Sequence, residues 1–277
     1  MLQNQVFPNY REDIKELNRL YAYLKSFYNE SYADELCAIR GYPDDEYNNN
    51  PQKDLIKEMQ LGYCEIDDLD EIRTFPESFG LITKKGNFLL NGRFIIPVHT
   101  ISNDLITLIG YYPDSRKYIT LATRFFSKEV MYFNFNQAYN LSWEKYNGLV
   151  ILVEGIFDCL SLRSIGLPAL ATMGSTVSKI KGELLKVFRK VLAIPDDDKT
   201  GHKALNRYSK YGWHVPDNTT FIKFVGGHMN FNGNKLHCKD IDNFVSWYDA
   251  DSVREILLSY SDSKEDIVIL DLRNDDE

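Results

Sequence analysis

The chain contains 277 residues, of which 44% are hydrophobic and 26% are charged, as is typical of globular proteins. This length fits one large domain or two smaller ones. No apolar run approaches the roughly 20 residues that a membrane-spanning helix needs, which argues against a membrane protein. The N-terminal sequence MLQNQVFPNYREDIKE has neither the basic nor the apolar region of a signal peptide, so we expect a cytoplasmic protein.

The negative charge of the chain is unevenly distributed. The formal net charge is −8, and the segment from Lys239 to Glu277 accounts for all of it, with twelve acidic against four basic residues. The segment from Lys84 to Glu129 carries seven basic and three acidic residues, a balance of +4. The average acidity therefore does not exclude a polyanionic ligand, for which the basic segment is suited.

The cysteines indicate neither a zinc ribbon nor a disulfide framework. They are widely spaced and form no C-x-x-C pair. Disulfides are rare in the cytoplasm, so we expect free thiols. The four residues are Cys37, Cys64, Cys159 and Cys238.

The first half of the chain is predicted to form an α+β subdomain over residues 1–147. Within residues 9–40, apolar side chains recur at three- and four-residue steps, which predicts helix. A break rich in Pro, Asp and Asn follows at residues 40–52, and residues 79–135 contain short strand patterns such as NGRFIIPV and LITLIGYY. The helical pattern consists of Ile14, Leu17, Leu20, Tyr21, Leu24 and Phe27.

The second half of the chain alternates between strand and helix patterns from Gly148 onward. Strands are predicted at LVILV, ALATM, KVLAI and TTFIKFV, with a helix after each of the first three. Such alternation predicts an α/β domain, a parallel sheet with helices on both faces, over residues 148–260. We expect residues 261–277 to form an acidic, disordered tail.

Acidic side chains follow three of these strands. Because ligands bind outside the carboxyl ends of parallel strands, we expect the acids to share one edge of the sheet. They would repel one another unless a cation lay between them, and oxygen ligands suit Mg²⁺ or Mn²⁺. A glycine turn at Gly174 follows the second strand. The acids are Glu154 and Asp158, then Asp196, Asp197 and Asp198, then Asp240 and Asp242.

Each acidic motif alone has a simpler explanation. Glu154 and Asp158 could be a strand end and an acid that complements a helix dipole. The sequence DDDKTG could be a helix-capping or calcium-type loop, and Asp240 and Asp242 could be solvated turn residues or a cap. The order of the three motifs along one sheet favours a common site.

This order of motifs resembles the Toprim fold and, within it, the bacterial and phage DnaG-type DNA primases. LVEGIFDCLSLRSIGLPALATMGS is similar to their E-G-x-x-D segment, IPDDDKTGHKA to their D-x-D segment, and KDIDNFV to their second aspartate pair. IKEMQLGYC, NGRFIIPVHT, LITLIGYY, RKYIT and EVMYFNFNQA are similar to the segments that precede the Toprim domain. The resemblance covers about residues 30–250 and keeps the linear order.

The resemblance implies roles for individual residues. Glu154 and Asp158 are implied in catalysis with Asp196 and Asp198. The implied ligands of Mg²⁺ or Mn²⁺ are Glu154, Asp196, Asp198, Asp240 and Asp242. Nucleotide or template binding is implied for Arg93, Lys117, Tyr118, Arg124, Gly174 and Lys203. Arg93 and Lys117 could alternatively be solvated strand residues, and Tyr111, Tyr112 and Tyr118 are candidates for stacking on bases.

The sequence departs from the family in three places. YYPDS stands where the family has G-G-R, so Arg116 or Arg124 is the candidate replacement for a nucleotide-contacting arginine. An N-terminal zinc-binding module and a long C-terminal helicase-binding region are not found. We therefore expect a minimal core of a phage or mobile-element type, acting in the host cytoplasm.

The function that the resemblance implies is RNA primer synthesis on single-stranded DNA by metal-dependent nucleotidyl transfer. The expected partners are the template, nucleoside triphosphates, and a replicative helicase or a separate template-recognition protein. Two alternatives stay open: a Toprim-type nuclease, and a non-catalytic primase-like protein that binds a replication partner. The chain is too short for a topoisomerase, which needs a further domain with a nucleophilic tyrosine.

Overall fold

The computed structural model describes residues 10–42, 51–59, 61, 63–121, 123, 126–199, 201–205, 213–225, 228–231, 234–238 and 240–272. The chain divides into two units, Met1–Phe126 (unit 1) and Ser127–Glu277 (unit 2). The division falls earlier than the boundary predicted from sequence between residues 147 and 148. Residues 127–147 group with unit 2 because Phe133 forms a bridge with Ala171 and Phe135 lies in the core of that unit.

In its described residues, unit 1 combines three α-helices with a four-stranded antiparallel sheet, whose strands are arranged in their order along the chain. The helix pattern predicted over residues 9–40 forms two helices rather than one. Asn29 accepts a hydrogen bond from the amide of Ser31 at 3.1 Å, a local turn that competes with helix. The elements are α1 (Tyr10–Lys25), α2 (Ser31–Arg40), α3 (Pro51–Met59), β1 (Tyr63–Cys64), β2 (Arg93–His99), β3 (Leu105–Tyr112) and β4 (Lys117–Thr120).

The core of unit 1 lies between α1 and the sheet. Leu17, Leu20 and Leu24 recur along one face of α1 and are buried in the same cluster as Ile95 of β2 and Leu108 of β3. The predicted apolar stripe is therefore correct for its central residues. Its last member, Phe27, is 37% exposed, because α1 ends at Lys25.

Unit 2 contains a five-stranded sheet in the order β11-β8-β7-β5-β6, in which every pair is parallel. The predicted α/β class is confirmed. An antiparallel pair, β9–β10, lies between β8 and α8 in the chain. The strands are β5 (Leu149–Val153), β6 (Ala169–Ala171), β7 (Lys190–Ile194), β8 (Thr219–Val225), β9 (His228–Phe231), β10 (Asn234–His237) and β11 (Ile267–Asp271). The helices are α4 (Phe135–Lys145), α5 (Ile156–Ser164), α6 (Lys179–Leu185), α7 (Gly201–Ala204), α8 (Ile241–Trp247) and α9 (Ala250–Ser259).

The strand order of unit 2 reverses beside its first strand. The chain passes from β5 to β6 on one side and then returns to β7 on the other side of β5. Right-handed crossovers therefore place α5 and α6 on opposite faces of the sheet. In sheets of this topology, ligands bind at the carboxyl ends of the two strands where the order reverses. Here those strands are β5 and β7.

The prediction of a disordered tail from residue 261 is wrong for the described part of the tail. Residues 267–271 form β11, which pairs in parallel with β8 from Ile267 opposite Phe221 to Asp271 opposite Val225. The run Ile-Val-Ile-Leu favours a strand even within an acidic segment, because β-branched residues suit a pleated sheet. Residues 273–277 lie outside the described residues.

All four cysteines are free and buried in the structure. Across the described ranges, no helix has both the length and the apolar character that crossing a bilayer requires.

Candidate active site

Glu154 lies at the point where the sheet of unit 2 reverses its strand order. It directly follows β5, all five residues of which are buried. β5 pairs with β7, with Val153 opposite Ile194, so the segments after the two strands leave the sheet side by side. The amide of Asp196 then donates a hydrogen bond to Oε1 of Glu154 at 3.3 Å. This register brings together residues that are 42 positions apart in the chain.

The loop after β7 is folded tightly around Asp196 and Asp198. The amide of Asp198 donates to the carbonyl of Asp196 at 2.8 Å, and the Asp198 carboxylate accepts from the amide of Gly201 at 2.8 Å. These bonds start the short helix α7. The neighbouring carboxylate of Asp197 instead contacts Nε2 of His202 at 2.8 Å. Asp196 and Asp198 are therefore fixed by backbone bonds, while Asp197 has a side-chain partner on α7.

The electrostatics of Glu154 are set by burial and by the neighbouring carboxyls. The pKa of this carboxyl is raised to about 8, mainly by burial and next by the negative charge of Asp196. The hydrogen bond from the Asp196 amide lowers the pKa, and the charge of Asp198 raises it. A half-buried carboxyl beside two other carboxyls is a candidate functional group with a physical reason for its shifted pKa.

Asp158 and Asp242 form a second acidic pair, which joins two helices. Asp158 lies in the first turn of α5, where its carboxylate accepts from the amides of Gly155 and Asp242, each at 3.1 Å. The carboxylate of Asp242 accepts a short hydrogen bond from Ser161 on α5. Asp240 precedes α8 and caps it by accepting from the amide of Asn243 at 2.9 Å. All three acids thus make hydrogen bonds that organise α5 and α8.

We expect Asp158→Ala to lower the free energy of unfolding by about 2–3 kcal/mol, because two amides lose a buried charged acceptor. Asp249→Ala is the matched control: Asp249 caps α9 through the amide of Ser252 at 2.9 Å but lies on the surface, so about 1 kcal/mol is expected. Urea denaturation measures both. If both variants lost the same free energy of unfolding, the bond between Asp158 and the amide of Asp242 would contribute no more stability than an ordinary helix cap.

Within the described ranges, no three His, Cys, Asp or Glu side chains lie close enough together to surround a metal ion. The chemistry of the donors at Glu154, Asp196 and Asp198 nevertheless fits a hard divalent cation, because all three are carboxylates and the charges of both aspartates contribute to the raised pKa of Glu154. The predicted set of five metal ligands stays a prediction.

A buried lysine supports the turn after β6 and was missed in the sequence. Lys181 on α6 is 1% exposed, and its ammonium donates to the carbonyl of Thr172 at 2.5 Å and lies 5.1 Å from the centroid of the Tyr132 ring. The hydroxyl of Thr172 in turn donates to the carbonyl of Gly174. The predicted glycine turn is therefore stabilised by the bond from Lys181 to Thr172 and by the bond from Thr172 to Gly174. The signal in the sequence is helical spacing: Lys181 lies four residues from Leu185, on the apolar face of α6.

The predicted basic residues of unit 1 lie on its sheet. Arg93 begins β2 and is half-buried, whereas Lys117 begins β4 and is exposed. Lys117 lies opposite Tyr112 and Tyr118 opposite Tyr111. Because successive side chains of a strand alternate between faces, Lys117 and Tyr118 point to opposite faces of the sheet.

The candidate stacking residues of unit 1 differ in exposure. Tyr118 is 41% exposed, but Tyr111 is completely buried, with the two ring centroids 5.1 Å apart. Tyr111 is therefore not available to stack on a base, and that prediction is wrong. The burial follows from the position of Tyr111 in β3, an inner strand of the sheet.

Lys203 and Arg124 are two further residues predicted to bind nucleotide or template. Lys203 is exposed on α7, two residues after Gly201. Arg124 lies outside the described residues.

Comparisons with known proteins agree with the parallel sheet and the acids at its reversal point. Residues 151–223 match the family model described as Toprim-like. The chain also resembles a DNA primase of Thermotoga maritima, with 31% identity over 134 residues. That match covers 46% of this chain but 23% of the relative, so it spans less than a quarter of the relative's length.

Solved structures extend the similarity beyond the matched segment. The zinc-binding and RNA polymerase domains of Aquifex aeolicus primase align with a TM-score of 0.63 and 22% identity, covering 91% of this chain and 62% of that one. A DnaG primase catalytic domain bound to single-stranded DNA aligns with a TM-score of 0.64 and 16% identity, covering 90% of this chain and 79% of that one. The predicted resemblance is confirmed: the chain has the fold of DnaG primase catalytic cores.

Proposed function

We propose that this chain synthesises RNA primers on single-stranded DNA by metal-dependent nucleotidyl transfer. The observation that carries the proposal is the group of carboxyls after β5 and β7, where Glu154 is half-buried beside Asp196 and near the charge of Asp198. In this proposal, residues 148–260 form the catalytic domain and residues 1–147 bind template and nucleotides. The similarity to primases supports this assignment, and the protein would work in the cytoplasm.

The proposed cofactor is Mg²⁺ or Mn²⁺, held by Glu154, Asp196 and Asp198. When bound, such a cation supplies positive charge beside the phosphate oxygens of a nucleotide. Asp240 and Asp242 are further candidate ligands. Asp158 is also proposed to act in catalysis, although its described bonds assign it first to orienting α8.

Glu154 is the proposed proton acceptor. It accepts one hydrogen bond through Oε1 from the amide of Asp196, which orients the carboxyl without neutralising its charge. A general base works best when its pKa lies near the working pH, and that of Glu154 is about 8. The group that loses the proton is the attacking 3′-hydroxyl. This assignment explains why an acid follows the most apolar strand of the chain.

The proposed phosphate-binding residues of unit 1 are Arg93 and Lys117, with Tyr118 as an exposed aromatic contact for bases. Gly174 and Lys203 are the proposed nucleotide contacts of unit 2, and Arg124 is a further candidate. Template selection is assigned to a partner, either a replicative helicase or a separate recognition protein. This part of the proposal rests on resemblance to primases.

The shifted pKa of Glu154 predicts how stability depends on pH. The pKa rises from an ordinary 4.5 to about 8 in the folded chain, so the folded state holds this proton more tightly. The resulting stabilisation is fully present below about pH 4.5 and is lost as the pH rises through about 8. In the presence of EDTA, the melting temperature should therefore fall between pH 5 and pH 8.5 more for the wild type than for Glu154→Gln, which carries no titrating carboxyl there.

Divalent cations should oppose this loss of stability. Because a cation competes with the proton on Glu154, MgCl₂ or MnCl₂ should raise the melting temperature more at about pH 8 than at about pH 6. Thermal scans at both pH values test this, with Glu154→Gln as the comparison. An equal increase in both proteins would place cation binding elsewhere on the chain.

The experiment that tests the proposed function follows product and template in one reaction. The chain is incubated with single-stranded DNA, labelled ribonucleotides and Mg²⁺ or Mn²⁺, and both strands are separated by size. Short labelled oligomers on intact template are the expected result. Template cut without nucleotides would instead favour a Toprim-type nuclease, and unchanged template without product would favour a binding protein.

A further inference from the structure

Arg93 is held on the sheet of unit 1 in an unusual way. Its Nε donates to the carbonyl of Leu89 at 3.3 Å, and its guanidinium carbon lies 5.3 Å from the centroid of the Tyr112 ring. By contrast, Arg19 and Arg73 contact the carboxylates of Glu71 and Asp70, at 3.3 Å and 3.2 Å. In the part of the chain that the structure describes, no carboxylate pairs with Arg93. Among these described residues, its positive charge is therefore not neutralised by an acidic side chain.

The side chain of Arg93 lies across a gap in the sheet that Gly110 leaves open. A Cβ atom at position 110 would lie 2.6 Å from Cδ of Arg93 and 3.0 Å from Cδ2 of Leu90. Any side chain there would displace the arginine stem. The absence of a side chain at Gly110 thus lets Arg93 extend along the sheet towards Tyr112.

Tyr112 lies between Arg93 and Lys117 on the sheet. In the pairing of β3 with β4, Tyr112 lies opposite Lys117. In the pairing of β2 with β3, Phe94 lies opposite Tyr111, so the preceding residue, Arg93, lies beside Tyr112. Arg93, Tyr112 and Lys117 therefore form one row across three strands. Neighbouring strands lie about 4.8 Å apart, so the two cations can contact different phosphates of one polyanion.

From this geometry we infer that Tyr112 and Gly110 are positioning residues, which hold the Arg93 guanidinium in place for phosphate groups. This inference rests on the proposed function and assigns Tyr112 a role other than stacking on bases. Attraction between a cation and the face of an aromatic ring fixes the guanidinium while its terminal N–H groups stay available to phosphate oxygens. A carboxylate partner would fix the arginine equally well but would cancel its charge.

The decisive test is a double-mutant cycle on binding of a single-stranded DNA oligonucleotide and, separately, of GTP. Tyr112→Leu should weaken binding by about threefold to fivefold, the range expected for a cation–π contact, and Tyr112→Phe should bind like the wild type. In the Arg93→Ala background, Tyr112→Leu should cause no further loss, because the group that it positions is gone. Arg93→Ala should also reduce the dependence of DNA binding on salt, by about 0.7 in the slope of log K against log salt.

Further variants separate positioning from a general effect on the fold. Gly110→Ala should reproduce the loss of Arg93→Ala by moving the arginine, and thermal scans identify variants that unfold. Arg73→Ala and Tyr139→Leu are matched controls that remove an exposed arginine and a surface tyrosine outside the proposed site. A loss seen only with DNA, or only with GTP, identifies whose phosphates Arg93 contacts.

The outcomes for the inference and for the proposed function are distinguishable, because the titrations require no synthesis. Additive effects of Tyr112→Leu and Arg93→Ala would overturn the inference, even in a chain that makes primers. The inference would also be overturned if Arg93→Ala bound both ligands as tightly as the wild type does, or if the wild type bound neither ligand. A non-additive cycle in a chain that makes no primers would support the inference and contradict primer synthesis.

Discussion

Glu154→Gln is expected to reduce primer synthesis by about 100-fold or more, the range typical of losing a general base. Glutamine has nearly the same shape but accepts no proton at neutral pH and is a poorer ligand for a hard cation. The measurement is incorporation of labelled ribonucleotide on single-stranded DNA. Glutamine keeps the size of the side chain and removes a charge that burial disfavours, so the fold should persist.

The matched control is Glu183→Gln. Glu183 is an exposed residue of α6 that pairs with Lys186 at 2.7 Å, and the substitution makes the same chemical change away from the site. Its activity should equal that of the wild type. If Glu154→Gln retained full activity, the assignment of Glu154 as proton acceptor would be wrong.

The second large effect is expected for Gly201→Ala, which alters the site without changing a charged group. A Cβ atom at position 201 would lie 2.0 Å from the carbonyl oxygen of Asp196 and 2.9 Å from its amide nitrogen. The backbone of Asp196 must therefore move, and with it the hydrogen bond to Glu154. We expect a loss of unfolding free energy of about 1–3 kcal/mol, as for overpacked sites, and a loss of synthesis of at least about tenfold.

Gly86→Ala separates the loss of stability from the displacement of Asp196. Gly86 has φ +81°, which alanine tolerates poorly, but nothing lies within 4 Å of an added Cβ. A destabilisation of about 1 kcal/mol with unchanged activity is expected. Urea denaturation and the primer assay are run on both variants. If Gly201→Ala were as active as Gly86→Ala, the position of Asp196 would not matter for catalysis.

The architecture of unit 2 was predictable because it depends on local pattern. A strand buried on both faces, such as LVILV, reads as a continuous apolar run, and the helices between the strands carry their own periodicity. The order of the strands was not predicted, although it places Glu154 beside Asp196. β11 was missed because its four apolar residues lie within a strongly acidic segment.

The division of the acids into two groups could not be read from the sequence. Spacing places Asp158 in the first turn of α5, but its bond to the amide of Asp242 depends on how α5 and α8 pack. The same limit applies to unit 1. The sequence indicated Arg93 as a phosphate contact, whereas the contact with Tyr112 requires the register of β2 and β3 and the gap at Gly110.

The central claim, that the chain copies a single-stranded DNA template, is tested most directly with templates of defined composition. Each labelled ribonucleotide is supplied with a template that contains its complement and with one that lacks it, for the wild type and for Glu154→Gln. Labelled oligomers are expected only where template and ribonucleotide are complementary, and none are expected with the variant. Incorporation that ignored the template sequence, or that persisted in the variant, would contradict this claim.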